Sequence, residues 1–140
     1  MKKIKSILLI ITGGIAAYKS LELIRKLREQ HIDVTCVLTK SGSEFVTPLS
    51  IASLSGNHVF SKLFNLTDEN KMGHIELSRS ADLVLVAPAT TNIISKMAYG
   101  SCDDLASTIL MATNKPVMVV PAMNVRMWHN AATQRNIQTL

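Results

Sequence analysis

Three short apolar runs dominate this chain: Ile7-Leu-Leu-Ile-Ile11, Leu83-Val-Leu-Val86 and Val117-Met-Val-Val120, each stopped by a glycine or proline turn. Runs of four or five residues are too short for helices, and apolar on every position they predict strands buried on both faces. Between the first run and the next strand, Ile15, Tyr18, Leu21, Ile24 and Leu27 recur at helical spacing, with Lys19, Glu22, Lys26 and Glu29 on the other face. That is an amphipathic helix, with Glu22 and Lys26 spaced to pair across one turn. Strands alternating with helices predict an α/β fold, a doubly wound parallel sheet in three α/β/α layers.

The remaining elements fit this frame. A second strand is expected over Ile32 to Leu38, then a helix from Glu44 to Leu54 interrupted by Pro48 and closed near Gly56. Residues 57–73 are polar and poorly periodic, and read as a mobile loop. A short helix around His74 to Ser80 precedes the Leu83 strand. Helices from about Thr91 to Tyr99 and from Asp104 to Thr113 follow, then the Val117 strand and a helix begun near His129. At 140 residues the chain makes one domain, 1–140, at the small end for a doubly wound sheet. Such sheets ordinarily continue into another strand, so the domain reads as minimal or C-terminally shortened.

The start of the chain imitates a signal peptide, with basic residues, an apolar run and small residues. The run Ile7 to Ile11 is shorter than the roughly 7–15 residues of a secretory core and far short of a membrane span. A first strand running into a glycine turn is the better reading.

Aromatics make up only 4% of the chain, so the core must come from aliphatic residues, alanine and seven methionines. The formal charge of +5 favours anionic partners. The bases are scattered, with no run longer than Lys2-Lys3, which argues against nucleic acid and leaves a phosphorylated small molecule. Cys36 and Cys102 match no metal spacing or disulfide framework. Cys36 falls within a strand pattern, and a reducing, cytoplasmic setting fits both.

Ligands of open α/β sheets sit at the carboxyl ends of the strands. The first strand ends in Thr12-Gly13-Gly14 and opens a helix, where glycines admit close approach and N–H groups attract phosphate. The pattern is not G-x-G-x-x-G, so a dinucleotide is not indicated. After the second strand come Thr39-Lys40-Ser41, hydroxyls and a cation where an NAD site would carry an acid. A phosphate cradle and a solvated turn, with Ser41 or Ser43 capping a helix, both remain open there. Ala87-Pro-Ala-Thr-Thr-Asn92 supplies three polar side chains where capping needs one. Asp103 reads as a helix cap, with Asp104 favouring the positive helix end. In Pro121-Ala-Met-Asn-Val-Arg-Met-Trp128, two readings stand side by side. One is a strand-end turn with Trp128 as core filler; the other is an asparagine amide offered to a ligand. His74, in Gly73-His-Ile-Glu-Leu77, suits either packing or acid–base work near neutral pH.

Taken together, four segments resemble the flavin-containing cysteine decarboxylases. They are Thr12-Gly-Gly-Ile-Ala-Ala-Tyr-Lys19; Gly73 to Leu77; Ala87 to Asn92 with Asp103-Asp104-Leu105; and Pro121 to Trp128. The resemblance implies a Rossmann-like (flavodoxin-like) fold, FMN as cofactor, and homotrimers or homododecamers with flavin near a subunit boundary. It places FMN on Gly13, Gly14, Ile15, Thr39, Ser41, Thr90, Thr91 and Asn92, bordered by Ala122 and Met123, with no metal. His74 matches the family's catalytic histidine and Asn124 the asparagine that binds the substrate carboxylate. The implied reaction is decarboxylation of 4′-phospho-N-pantothenoylcysteine to 4′-phosphopantetheine, through a thioaldehyde that loses CO2. The family's reducing members use a later lid cysteine that nothing here matches, and Ile93 stands where many relatives have threonine. A peptidyl-cysteine decarboxylase, a flavin prenyltransferase and a non-catalytic FMN-binding subunit are the alternatives.

Overall fold

In the computed structural model, which describes residues 2–65 and 73–140, five strands form one all-parallel sheet. They are β1 (Ser6–Ile11), β2 (Asp33–Leu38), β3 (Val59–Phe60), β4 (Leu83–Ala89) and β5 (Val117–Pro121). The spatial order is β3-β2-β1-β4-β5. The chain therefore winds outward from β1 in one direction, returns, and winds outward again from β4. The reversal between β1 and β4 creates a crevice at their carboxyl ends.

Helices α1 (Ala17–Glu29) and α2 (Pro48–Ser55) cover one face. There Ala17, Ile24 and Ile51 pack on Leu9, Ile11, Cys36 and Leu38. Helices α3 (His74–Arg79), α4 (Thr91–Tyr99) and α5 (Leu105–Ala112) cover the other. Their Leu77, Ile93, Ile94 and Ile109 pack on Leu8, Ile10, Val84 and Val86. Successive residues of β1 thus feed opposite cores, as the strand pleat requires. Each large side chain so buried contributes about 1.5–3 kcal/mol over exposure. Helices α6 (Val125–His129) and α7 (Ala131–Thr139) complete the described chain. The last of these docks beside α4, with the Arg135 guanidinium 5.4 Å over the Tyr99 ring.

Several expectations need correcting. The helix expected from Glu44 is a 3₁₀ turn, Gly42–Glu44, followed by α2. Pro48 begins α2 rather than interrupting it: Thr47 caps the Ser50 N–H, the proline takes the first turn, and Gly56 closes the helix at φ 72°. Of the loop expected over 57–73, residues 59–60 form β3, and 66–72 lie outside the described residues. Ile15 and Tyr18 do not belong to the buried stripe of α1. They are 76% and 57% exposed, because α1 begins at Ala17 and buries Ala17, Ser20 and Ile24. Arg25, not Lys26, pairs with Glu22, and with Glu29 as well.

The largest departure is β5. Expected to be buried, it is the edge strand, and only Val119 packs inward. Trp128, read as core filler, is 37% exposed. An edge strand has one neighbour, and no described element covers Met118 and Val120 on the side away from Val119.

Candidate functional site

Ser20, one turn into α1, is buried and donates its hydroxyl to the Ala87 carbonyl at 2.7 Å. Thr12, buried at the end of β1, donates to the Pro88 carbonyl and accepts the Thr90 N–H. These contacts tie the end of β4, with its cis Ala87–Pro88 bond, and the turn that follows it to the β1–α1 unit. Gly13 lets the turn after β2 close in, since a Cβ on it would lie 2.3 Å from the Ser41 Cβ. Three strand-end turns are thereby drawn around one crevice.

The crevice is a cavity of about 970 Å³ between the ends of β1 and β4, at the upper end of the roughly 300–1,000 Å³ usual for ligand pockets. Gly13, Gly14 and Ile15 line it from the first turn, Thr39 and Ser41 from the second, and Thr90, Thr91 and Asn92 from the third. Ala122, Met123 and Asn124 close it from the segment after β5. Every residue assigned above to cofactor or substrate carboxylate lines this one cavity; the assigned catalytic residue, His74, does not.

The polar groups divide into those already used and those left over. Thr39 accepts the Gly42 N–H and Thr90 caps the Ile93 N–H. The Ser41 hydroxyl caps no helix, and Ser43 donates to the Lys40 carbonyl, so neither serine is the helix cap that the sequence allowed. The side chains of Ser41, Thr91 and Asn92 take no partner among the described residues. The same holds for the backbone N–H groups of Gly14, Ile15 and Ala16 before α1, and of Thr91 and Asn92 at the start of α4. Two helix starts with unpaired donors facing one cavity favour an anion. Gly14 leaves room for it: a Cβ there would meet only the Thr90 methyl, at 3.8 Å.

Asn124 caps α6 by accepting the Met127 N–H at 2.9 Å. Its oxygen is spent on the helix and its NH2 group keeps two donors, so capping and ligand binding are compatible roles for one side chain. Asp104, not Asp103, caps α5, in a reciprocal pair with Ser107. Asp103 instead approaches Lys96 at 2.8 Å. That hydrogen bond raises the Lys96 ammonium above its ordinary pKa and lowers the Asp103 carboxyl. Lys96, Asp104 and Met127 line the cavity and escaped the sequence reading. For Lys96 the signal was present: it stands one helical turn beyond Asn92 and shares its face.

His74 opens α3 and lines a separate groove with Glu76 and Arg79. A single chain does not bring it to the cavity. Among the described residues no cluster of acids, histidines or cysteines could hold a metal ion, and no helix is long and apolar enough to cross a membrane.

The family model described as Flavoprotein matches residues 1–140. The chain belongs to the Flavoprotein family. Within it, the chain is 51% identical over 136 residues to the coenzyme A biosynthesis bifunctional protein CoaBC of Vibrio vulnificus (strain YJ016), covering 97% of this chain and 34% of that protein. The chain thus spans about a third of the curated relatives it matches. Among solved structures it resembles a PPC decarboxylase variant complexed with pantothenoylaminoethenethiol. Identity there is 34% and the TM-score 0.79, over 99% of this chain and 78% of that one. It also resembles the FMN-dependent cysteine decarboxylase TvaF from thioviridamide biosynthesis, at 26% identity and a TM-score of 0.87, over 96% of this chain and 83% of that one. A Rossmann-like family fold fits the sheet order described above.

Proposed function

We propose that residues 1–140 act as a single FMN-binding domain that decarboxylates 4′-phospho-N-pantothenoylcysteine to 4′-phosphopantetheine, as coenzyme A biosynthesis requires. One observation carries the reading. Ten residues assigned to FMN by family motif, spread over four segments, converge with Asn124 on one cavity at the sheet's switch point. The cavity suits FMN: free N–H groups for a phosphate, hydroxyls for the ribityl chain, and Gly14 and Met123 leaving an apolar slot for a ring. Higher identity to CoaBC than to TvaF favours the small phosphorylated substrate over those of other cysteine decarboxylases.

FMN, when bound, supplies a two-electron acceptor that later returns the electrons. The protein's own groups do the rest. Asn124 binds the substrate carboxylate through its NH2 donors, held in orientation by the Met127 N–H. A neutral amide suits this task, since a cation would hold the carboxylate more tightly in the ground state than in the transition state that releases CO2. Converting the cysteinyl CH2–SH to a thioaldehyde removes a hydride equivalent from carbon and a proton from sulfur. His74 takes that proton at its imidazole. The C–CO2 bond then breaks with its electron pair delocalised onto sulfur. Because His74 lies outside the cavity of its own chain, it serves the cavity of a neighbouring copy in a homotrimer, or in a homododecamer assembled from such trimers. Both cysteines are free and Cys36 is buried, which suits the reducing cytoplasm.

The test is CO2 release from the phosphorylated substrate by FMN-loaded protein. His74→Asn should lower the rate by about 10²–10⁴-fold while FMN stays bound. Equal rates in the two proteins would remove His74 from the mechanism.

A further inference from the structure

Lys96 has no part in the reaction just described, yet its side chain sits in the wall of the same cavity and is only 18% exposed. Lysines are rarely withdrawn from water unless paired. Here the ammonium lies 2.8 Å from an Asp103 oxygen and 3.5 Å from Asp104. The two acids are not equivalent. Asp103 is 67% exposed and does not reach the cavity, so water and salt screen its charge. Asp104 does line the cavity, but its other oxygen accepts the Ser107 N–H and hydroxyl at the start of α5. There the positive end of the helix offsets the carboxylate. Lys40, the second cation on the cavity wall, is exposed and screened. Of the two cations lining the cavity, Lys96 is the one withdrawn from water, so its charge is the less screened.

Resting on the FMN reading, we propose that Lys96 is the cation that favours reduced over oxidised flavin in this cavity, with Asp103 and Asp104 as positioning residues that keep its ammonium at the wall. The flavin ring is neutral when oxidised and gains negative charge when reduced. A cation in the same partly enclosed space stabilises the second state more than the first. The consequence for the reaction is direct, because its first step moves two electrons from a thiol-bearing carbon, a reluctant donor, onto the cofactor. A purely structural ion pair joining α4 to the start of α5 would lack this effect.

Dissociation constants for FMN separate the two roles when measured for the oxidised protein and after dithionite reduction. In Lys96→Met, reduced FMN should lose about tenfold more affinity than oxidised FMN. Lys96→Arg should keep the wild-type ratio within about twofold, since the charge survives. Asp103→Asn removes a partner that holds the ammonium at the wall and should move the ratio in the same direction as Lys96→Met, by a smaller factor. A Lys96→Met ratio equal to that of wild type overturns the proposal, as does an unchanged Asp103→Asn ratio if the methionine variant does not fold. A wild-type protein that takes up no FMN, seen as the absence of bound flavin absorbance, overturns the flavin reading and this inference with it.

Discussion

Strands β1 and β4 lie side by side, and their two ends are finished in opposite ways. At the amino ends the Asp82 carboxylate accepts the N–H groups of Lys5 and Ser6 at 2.9 and 3.2 Å and faces the Lys2 ammonium at 3.2 Å. The backbone N–H of Lys5, followed by Lys2, holds this carboxyl down at about 2, and the Ser6 hydroxyl and the Asp82 N–H close the clasp. At the carboxyl ends the protein's own hydrogen bonds fall on carbonyls. Thr12 and Ser20 hold those of Pro88 and Ala87, while the N–H groups of Gly14, Ile15, Ala16, Thr91 and Asn92 keep no partner among the described residues. One end fastens the strands; the other holds open a set of donors. Polar groups left unpaired at one end of an otherwise satisfied sheet mark where a ligand belongs.

The sharpest way to break that comparison is at Gly13, where both functions depend on close approach. A Cβ would lie 2.3 Å from the Ser41 Cβ and 2.8 Å from its carbonyl carbon, so the turns after β1 and β2 could not both keep their places. Gly13→Val should cost at least about 1–3 kcal/mol of stability in urea unfolding and abolish FMN uptake. Wild-type stability in this variant would mean the turns are not packed as described.

Asp82 tests the fastened end alone. Its folded pKa lies below the ordinary 3.8. The carboxylate therefore adds stability that is present in full above the unfolded value and is lost as pH falls through about 2. Asp82→Asn should lower Tm by a few degrees at pH 7, converge with wild type near pH 2, and leave FMN affinity unchanged. A gap that persisted at pH 2, or a loss of FMN, would show that the two ends are not independent.

The smallest effect concerns the thiols. Burial pushes the Cys36 thiol up to about 12, in the sheet beneath α1 and α2, whereas Cys102 is exposed beyond α4. A thiol reagent should label Cys102 in the native protein and reach Cys36 only in denaturant. Rapid native labelling of both would contradict the packing of β2.

The strands were legible because β1 and β4 carry unbroken apolar runs, Ile7 to Ile11 and Leu83 to Val86, each followed shortly by a glycine or proline, and β2 carries Val34, Cys36, Val37 and Leu38. The cavity was legible because the sites lie at strand ends, and three of these carry glycine, hydroxyl or amide groups in sequence. What escaped depends on position in space. Burial of β5 could not be read from Val117 to Val120, because an edge strand and a central one share the same apolar pattern until neighbours are counted. Pro48 looked like a break because helix periodicity continues across it, whereas capping by Thr47 assigns it to the first turn. Asp104 took the cap expected of Asp103, because adjacent acids are equally good caps until Lys96 draws Asp103 away. His74, open in the sequence to packing or acid–base work, lies in a groove with Glu76 and Arg79, a placement set by how α3 packs and not by any pattern around Gly73-His-Ile-Glu-Leu77.

The central claim is that the cavity between β1 and β4 holds FMN, and Gly14 tests it most directly. Unlike Gly13, it has space: its Cβ would meet only the Thr90 methyl, at 3.8 Å, and its backbone has no positive φ to strain. A larger side chain there fills the cavity and leaves the fold intact. FMN titration of Gly14→Val, followed by flavin fluorescence, should give wild-type unfolding behaviour with affinity reduced by about 100-fold or more, equivalent to roughly 2.7 kcal/mol. A folded Gly14→Val protein that binds FMN as tightly as wild type would contradict the account.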